Sequence, residues 1–380
     1  MQYKEYELGE LLPFEQPTAY IVKSTDYNDS YSTPVLTAGK SFILGKTNEK
    51  YGIFDQLPVI IFDDFTTATQ FVNFKFKVKS SAMKILHINT ALVMPKYIFY
   101  RLQIIQFDHS THKRYWIQSY SKIKVSIPSL DEQSRIVSRI DELFSELDKA
   151  VDTLNTTKEQ LAVYRQAVLK DAFSNIPREM YKPLKLVMEE MPQNGLYKSK
   201  SFYGEGNPIL RIDGFYDGEV VPNYEYKRVR LEAEEIKKYA LHIGDIVVNR
   251  VNSMSYLGKC ALIRNLEEPT IFESNVMRFR LDKQQIDLEY AMYYLSTSFG
   301  RHELTKNAKQ AVNQASINQT DVGNALIPIP KDLEAQRNIA QKISAHIAVC
   351  NNIEQGIDTA FAQADAMRQS ILKQAFEEKD

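Results

Sequence analysis

Cysteine is scarce in this chain, which has only Cys260 and Cys350 among its 380 residues. Two cysteines cannot build a cysteine-rich metal cluster or a disulfide framework, and such low usage fits a reducing cytoplasm. No apolar run approaches the roughly 20 residues that a membrane-spanning helix needs. The polar, acidic start "MQYKEYELGE" is not typical of a secretory signal. These absences predict a cytoplasmic protein that does not cross a membrane.

Catalytic motifs are also missing. The segment "AGKS" (38–41) ends like a phosphate-binding loop, but Pro34 stands where the first glycine is required. The two histidines of "HSTH" (109–112) lack a third metal ligand. There is no Gly-x-Ser-x-Gly motif and no Asn/Asp-Pro-Pro-aromatic tetrapeptide of the amino-methyltransferase type. The paired carboxylates of "FDDF" (62–65) are interpreted as turn or capping groups. The sequence therefore predicts a binding protein, not an enzyme, with no metal site and no catalytic residues.

What the sequence does contain is a long internal repeat. A shift of 203 positions superimposes "VYRQAVLKDAF", which ends at Phe173, on "AMRQSILKQAF", which ends at Phe376. The two segments also begin alike, with "VSIPSLDEQ" and "LIPIPKDLEAQ". In each, prolines end a strand-like run and an acidic residue opens a helix. The repeat predicts a duplicated half whose helix has been retained.

Each repeat has the heptad pattern of a long helix. The seam positions of the first are Ile140, Phe144, Leu147, Val151, Leu154, Lys158, Leu161, Arg165, Val168 and Ala172. Those of the second are Ile343, Ile347, Cys350, Glu354, Ile357, Phe361, Ala364, Arg368, Ile371 and Ala375. One such helix cannot bury its apolar stripe alone, so the two are predicted to pack together. The matched Arg165 and Arg368 either set the register of this pairing or extend outward into solvent.

The repeats divide the chain into four parts. We expect a first module at residues 1–126 and a first helical region at 127–176. A second module at 177–328 and a second helical region at 329–380 follow. The predicted fold class is therefore two α/β (α+β) modules joined by two long helices, with an internal repeat.

The two modules share short fragments. "TPVLTAGKSFILG" (33–45) resembles "NPILRIDGFYDGE" (207–219), and "KYIFYRL" (96–102) parallels "EYAMYYL" (289–295). The apolar runs "LPVIIFDDF" and "IGDIVVNRV" are typical of strands that lead into loops. Both modules are therefore predicted to contain several short strands.

Charge is balanced overall, with a net charge of −1, but it is not evenly distributed. Residues 46–124 hold 12 basic side chains against 5 acidic ones. "FKFKVKSSAMK" (74–84) and "HSTHKRYW" (109–116) mix basic and aromatic residues, a composition that suits phosphate and base contacts. The alternative for "FKFKVK" is one exposed face of a strand.

Together these segments resemble the specificity subunit of type I restriction-modification systems. The resemblance covers essentially the whole chain and is carried by "IPSLDEQSRIVSRID" (127–141), "IPIPKDLEAQRNIAQKI" (327–343) and the twin "RQ…LK.AF" endings. Residues 58–86 are similar to one recurring type of target recognition domain, and 313–330 to the usual exit from such a domain. The helix entries depart from the commoner "PLPPLEEQ", but those residues only start a helix.

The resemblance implies an antiparallel coiled coil with one target recognition domain at each end, and thus pseudo-twofold symmetry within one chain. Each domain would read one half of a bipartite, asymmetric site in double-stranded DNA. Two methyltransferase subunits, each carrying S-adenosylmethionine, would dock on equivalent helix surfaces maintained by the repeated endings, and two restriction subunits would join them. The chain itself would hold no cofactor.

The expected DNA contacts are polar residues in loops that follow strand-like runs. In the first module the DNA candidates are Thr66, Thr67, Thr69 and Gln70, then Lys113, Arg114 and Tyr115. In the second they are Asn249, Arg250, Asn252, Ser253, Lys306, Lys309 and Gln310. Arginine, asparagine and glutamine can make paired hydrogen bonds to base edges, whereas lysine more often meets phosphate. Expected partner contacts on outer helix faces are Glu132, Gln133, Glu334 and Gln336, for which ordinary helix capping is the alternative.

Three other functions remain open from the sequence. A coiled-coil scaffold whose modules bind proteins is favoured by the neutral second module. A single-chain nuclease or methyltransferase is disfavoured by the missing motifs. A specificity subunit of a methylation-only system has the same sequence features as the main interpretation.

Overall fold

The structure, a computed structural model, describes residues 3–37, 41–107, 114–312 and 314–377. The chain divides into two units, one formed by Met1–Asn155 with Asp358–Asp380 and the other by Thr156–Ile357. Lys113 and the "HSTH" segment (109–112) lie outside the described residues.

The repeated segments form two long helices of 45 residues each, Leu130–Ser174 and Leu333–Glu377. Their bounds differ by the same 203 positions as the sequence repeat. Every predicted seam position is buried or half-buried, whereas the positions between them are mostly exposed. The predicted heptad pattern is confirmed.

Each unit contains the start of one long helix and the end of the other. In the first unit, Ile140 of the first helix and Leu372 of the second helix belong to one core. In the second unit, Leu169 and Ile343 do the same. Because starts meet ends, the helices run antiparallel. The predicted fold class, two α/β modules with an antiparallel helix pair and an internal repeat, is confirmed.

The seam arginines bond across the helix pair. Arg165 Nη2 donates to Asn351 Oδ1 at 2.8 Å and to Glu354 Oε2 at 2.7 Å. Its repeat counterpart Arg368 pairs with Asp148, which occupies the position equivalent to Asn351. Of the two interpretations of these arginines, the structure therefore favours setting the register.

The first module is built from short strands and short helices. Its strands are β1 (Lys4–Glu7), β2 (Phe14–Glu15), β3 (Thr33–Leu36), β4 (Ile43–Thr47), β5 (Val59–Asp63), β6 (Thr69–Val72), β7 (Lys77–Val78), β8 (Met83–His87) and β9 (Lys124–Ile127). Its α-helices are Leu8–Leu11, Pro95–Leu102 and Tyr115–Gln118, with 3₁₀ turns at Pro17–Tyr20 and Tyr120–Lys122. One sheet has the order β2-β8-β5-β6, another the order β4-β3-β7, and β1 pairs with β9.

The second module has more strands. They are β10 (Tyr181–Pro183), β11 (Met188–Asn194), β12 (Tyr203–Leu210), β13 (Phe215–Tyr216), β14 (Glu219–Val220), β15 (Lys227–Val229), β16 (Asp245–Asn249), β17 (Val251–Asn252), β18 (Cys260–Leu262), β19 (Ile271–Phe272), β20 (Val276–Leu281), β21 (Lys309–Ala311), β22 (Gln314–Ser316) and β23 (Leu326–Pro328). Its α-helices are Ala233–Tyr239, Leu288–Leu295, Ser298–Thr305 and Gln319–Asn324, with 3₁₀ turns at Arg178–Met180, Leu184–Val187 and Lys200–Phe202.

The two modules have the same sheet topology. The order β11-β20-β16-β18 repeats β2-β8-β5-β6, and β15-β12-β19 repeats β4-β3-β7. The pairs β3–β7 and β12–β19 are both parallel, and β10 pairs with β23 as β1 pairs with β9. The shared fragments recognised in the sequence therefore mark equivalent strands and helices. The second module adds the sheet β17-β22-β21, which has no counterpart among the residues described in the first.

The repeated endings anchor the long helices in the modules. The Phe173 ring lies 5.2 Å from the rings of Tyr290 and Tyr294, and the Phe376 ring lies 5.3 Å from that of Tyr97. Both phenylalanines are 5% exposed. These two apolar side chains of the repeated endings therefore belong to the cores of their own units.

No helix within the described ranges is both long and apolar enough to cross a membrane. Cys260 and Cys350 are both free and buried.

Candidate nucleic-acid interface

The first strand-end loop (64–68) joins β5 to β6 and is held by the residue before it. Asp63 Oδ1 accepts the N–H groups of Phe65 at 2.9 Å and Thr66 at 3.3 Å. The half-buried Thr67 has a φ of +57°, a left-handed conformation that a fixed turn supports. The turn leaves the side chains of Phe65 and Thr66 exposed.

Asp64 connects this loop to the segment that begins at Arg114. Its Oδ1 accepts the Trp116 N–H at 2.9 Å, and its main-chain oxygen accepts the Tyr115 N–H at 3.0 Å. Its Oδ2 lies 3.3 Å from Lys84 Nζ, and both charged side chains are almost completely buried. The structure thus brings Arg114 and Tyr115 close to the loop that carries Thr66 and Thr67. The predicted capping role of the "FDDF" carboxylates is confirmed.

Several first-module candidates are less accessible than expected. Gln103 Nε2 donates to Thr69 Oγ1 at 2.5 Å, and Thr69 is buried. Tyr115 is also buried, with its ring 5.0 Å from that of Phe107. The exposed candidates are Thr66, Gln70 and Arg114.

Part of the basic charge in residues 74–84 is structural. The Lys77 side chain is 3% exposed, and its Nζ donates to the main-chain oxygens of Tyr51 at 2.7 Å and Gly52 at 2.9 Å. Lys84 is committed to Asp64. The exposed-strand interpretation is wrong for Lys77, because both residues of β7 are buried. Fewer lysines of this segment are therefore available for phosphate contacts than the sequence count suggests.

The second strand-end loop (253–259) lies at the equivalent place, between β16 and β18. Gly258 N–H donates to the Asn249 main-chain oxygen, and Asn249 N–H donates to that of Lys259, each at 2.9 Å. Outside the loop, Arg301 donates from Nε to the Leu257 carbonyl at 2.9 Å and from Nη2 to the Met254 carbonyl at 2.8 Å. The loop backbone is therefore bonded at both its base and its tip.

The small sheet beside this loop unites two candidate segments. Asn252 of β17 lies opposite Ala315 of β22, which in turn lies opposite Gln310 of β21. Lys309 and Gln310 are exposed strand residues, not loop residues as expected. The structure therefore places Asn252 and Gln310 on one line across three strands.

The remaining second-module candidates differ in accessibility. Asn249 is fully buried, and its Nδ2 donates to the Ile212 carbonyl at 3.3 Å. The half-buried Arg250 donates from Nη1 to the Ser274 carbonyl at 3.0 Å. Lys306 is exposed, and its Nζ lies 2.7 Å from Glu303 Oε2. The exposed candidates are Ser253, Lys306, Lys309 and Gln310, and Asn252 is half-buried.

Sequence reasoning missed a lysine held between two tyrosines. Lys259 Nζ lies 4.9 Å from the Tyr216 ring centre and 4.8 Å from that of Tyr256. Partial burial raises the pKa of Tyr216, and the nearby Asp213 and Tyr256 add to this, so the phenol remains a hydrogen-bond donor. Tyr216 is too distant in sequence for any local pattern to have joined it to Lys259.

Three of the four expected partner contacts, Glu132, Gln133 and Gln336, are buried and do not lie on an outer helix face as expected. Gln133 is fully buried; its Oε1 accepts the Met94 N–H at 2.7 Å, and its Nε2 donates to the carbonyls of Leu92 at 3.2 Å and Pro128 at 3.0 Å. The outer-face expectation is wrong for this side chain, because its amide joins the long helix to the module.

Gln336 makes the same contacts in the second unit. Its Oε1 accepts the Asp287 N–H at 2.8 Å, and its Nε2 donates to the carbonyls of Gln285 at 3.3 Å and Pro330 at 2.8 Å. It is fully buried, so the outer-face expectation is wrong here too. Of the other two, Glu132 is buried and Glu334 is exposed.

The exposed candidates on and beside the two loops carry hydroxyl, amide and cationic groups, which can hydrogen-bond base edges and phosphates. The described part of the chain contains no group of three or more histidine, cysteine, aspartate or glutamate side chains placed to hold a metal ion. The geometry therefore suits binding through hydrogen bonds and charge.

Comparison with known proteins agrees with this geometry. A family model described as the type I restriction modification DNA specificity domain matches residues 2–161 and 187–360. The chain is 31% identical over 373 residues to the EcoR124I/EcoR124II specificity subunit of Escherichia coli, across 92% of this chain and 88% of that protein. It is 26% identical over 271 residues to the EcoKI specificity subunit of Escherichia coli K12, across 68% of this chain and 58% of that protein.

A solved structure shares the fold. A chain from a study of complex assembly and conformational transition of the type I R-M system superimposes with a TM-score of 0.66 at 17% identity. The match covers 98% of this chain and 97% of that one. With the family model matched in both modules and a relative similar over nearly its whole length, the chain belongs to the family of type I restriction-modification DNA specificity subunits.

Proposed function

We propose that this chain is the non-catalytic DNA-reading subunit of a type I restriction-modification complex, and that each module reads one half of a bipartite, asymmetric site. One observation carries the proposal. The two modules share one sheet order, and in both a loop of different sequence follows the same central strand. Two modules with the same sheet order but different loop sequences suit the reading of two different half-sites.

The exposed candidates on and beside the two loops would contribute contacts of two kinds. In the first module, Thr66, Gln70 and Arg114 would approach the DNA, and in the second Asn252, Ser253, Lys309 and Gln310 would do so. Glutamine and arginine can bond base edges with two hydrogen bonds, which distinguishes bases. Lysine would meet phosphate, which adds affinity and salt dependence without sequence preference.

The long helices provide the surface for partners. Because their bounds and seam repeat after 203 positions, two copies of one methyltransferase subunit can meet equivalent helix surfaces. Each copy would bind S-adenosylmethionine and methylate an adenine in one half-site, and two restriction subunits would complete the nuclease. The chain itself would position DNA and bind no cofactor.

Native mass spectrometry of the chain with the methyltransferase subunit of its own system tests the partner proposal. We expect one copy of this chain with two of the methyltransferase, and S-adenosylmethionine bound only when the methyltransferase is present. Cofactor binding by the isolated chain would instead favour a single-chain methyltransferase. Absence of any complex would favour a scaffold with other protein partners.

A further inference from the structure

The second strand-end loop is held by one side chain from outside it. Arg301 bonds the main-chain oxygens of Met254 and Leu257 at 2.8 and 2.9 Å. A guanidinium presents its donors as a rigid planar fork. Two bonds from one fork therefore fix the separation of these two carbonyls and the path of the chain between them.

Arg301 stands on a rigid support. Its helix follows the buried Thr297, whose Oγ1 accepts the Gly300 N–H at 2.9 Å and donates to the Tyr294 carbonyl at 2.7 Å. A Cβ on Gly300 would lie only 2.2 Å from that same carbonyl oxygen, so this helix packs against the preceding one with no space for a side chain. The module core therefore sets the position of the guanidinium.

The buried side of the loop is equally constrained. Leu257 is fully buried. Gly258 has a φ of +73°, and a Cβ there would lie 2.6 Å from Thr305 Cγ2. On the other side, residues 253–256 are exposed, and the hydroxyls of Ser253 and Ser255 lie 2.9 Å apart. The loop thus presents a fixed set of polar and aromatic groups to solvent.

We infer that Arg301 is a positioning residue for sequence recognition by the second module. It holds the loop in the conformation in which residues 253–256 meet the second half-site, and the inference rests on the proposed function. A preorganised loop loses less conformational freedom on binding, and discrimination between bases depends on hydrogen-bond geometry. The first loop is held by Asp63 and Asp64 instead, so Arg301 acts on one half-site only.

Methylation mapping with matched variants tests the inference. The chain is expressed with the methyltransferase subunit of its own system, and methylated adenine is mapped across the host DNA. With Arg301→Ala we expect roughly tenfold weaker discrimination at one or more positions of the second half-site, the scale of one paired base contact. The first half-site should remain unchanged. Arg301→Lys, which keeps the charge but not the fork, should give an intermediate loss.

Arg264→Ala is the matched control. Arg264 lies in the same module and also bonds a main-chain oxygen, that of Gly218, at 3.0 Å, but it does not touch the loop. We expect its methylated motif to equal that of the unmodified chain. Arg301 variants with lower thermal stability and unchanged discrimination would overturn the inference, as would equal relaxation of both half-sites. If the unmodified chain directs no split motif, the proposed function itself fails, and this inference with it.

Discussion

Gln133 and Gln336 make the same three hydrogen bonds at equivalent positions, one in each unit. In both, the amide oxygen accepts the N–H of the residue that caps a module helix. The amide nitrogen donates to a carbonyl two residues before that cap and to a proline carbonyl just before the long helix. Each glutamine therefore fixes its long helix to the module of its unit.

Replacing either glutamine should destabilise the chain. In Gln133→Ala or Gln336→Ala, one N–H and two carbonyls lose a fully buried partner, and such a loss costs about 1–3 kcal/mol. We expect the free energy of unfolding, measured by urea denaturation, to fall by that amount. Gln166→Ala, at an exposed position on the first long helix, is the control. Equal stability of all three variants would contradict the assigned role.

The phenylalanines that end the repeats should be essential for stability. Phe173→Ala removes a buried ring that packs between Tyr290 and Tyr294, and such cavities cost about 3–5 kcal/mol. Val163→Ala, at a position that is 71% exposed, should cost less than about 0.5 kcal/mol. Thermal unfolding of both variants gives the comparison. A Phe173→Ala protein as stable as the control would show that the helix end is not anchored there.

The buried pair of Asp64 and Lys84 should respond differently to single and double replacement. Asp64→Asn leaves Lys84 buried without its counter-charge, a change that typically costs about 3–5 kcal/mol. A double variant, Asp64→Asn with Lys84→Met, removes the orphaned charge and should recover much of that loss. Denaturation of the single and double variants measures this coupling. If the double variant is no more stable than Asp64→Asn, the loss of stability in Asp64→Asn does not come from the unpaired charge of Lys84.

The ion pair between Arg165 and Glu354 should tolerate an exchange of its two charges. Arg165→Glu places two carboxylates together beside Glu354, whereas adding Glu354→Arg restores an attractive pair. Both side chains are about one third exposed, so solvent screening limits the effect to roughly 1 kcal/mol. Stability that recovers in the double variant supports the contact, and additive losses would contradict it.

Neighbouring residues on β21 should affect DNA binding in different ways. Lys309→Ala should weaken binding to all sequences alike and lower the salt slope by about 1, as expected for one lost phosphate contact. Gln310→Ala should relax base preference in the second half-site and leave the salt slope unchanged. Competition binding at several salt concentrations, with the methyltransferase present, separates the two effects. The same response from both variants would contradict the division of roles.

Periodicity predicted which positions of the two long helices form the seam. A heptad seam requires the same side chains to be buried wherever the helices pack, so positions such as Ile140 and Ile343 were identifiable from spacing alone. Strand fragments in the modules were also recognisable, because short β-branched runs that end in polar residues are typical of strands that lead into loops.

Burial of polar side chains was not predictable from the sequence. Gln133, Gln336 and Lys77 look like surface residues. Their burial depends on carbonyls from distant segments, those of Leu92, Gln285 and Tyr51. Arg301 was missed for the same reason, since the loop it holds lies about 45 positions earlier. Tertiary contacts override local preference at such places.

The most direct test of the whole account is a genome-wide map of methylated adenine in the source cell, with and without this gene. If the two modules direct a methyltransferase, the deletion removes methylation at one split motif, two short specified halves separated by a fixed gap, and restoring the gene restores it. Methylation that is identical with and without the gene would contradict the claim that these modules direct a methyltransferase.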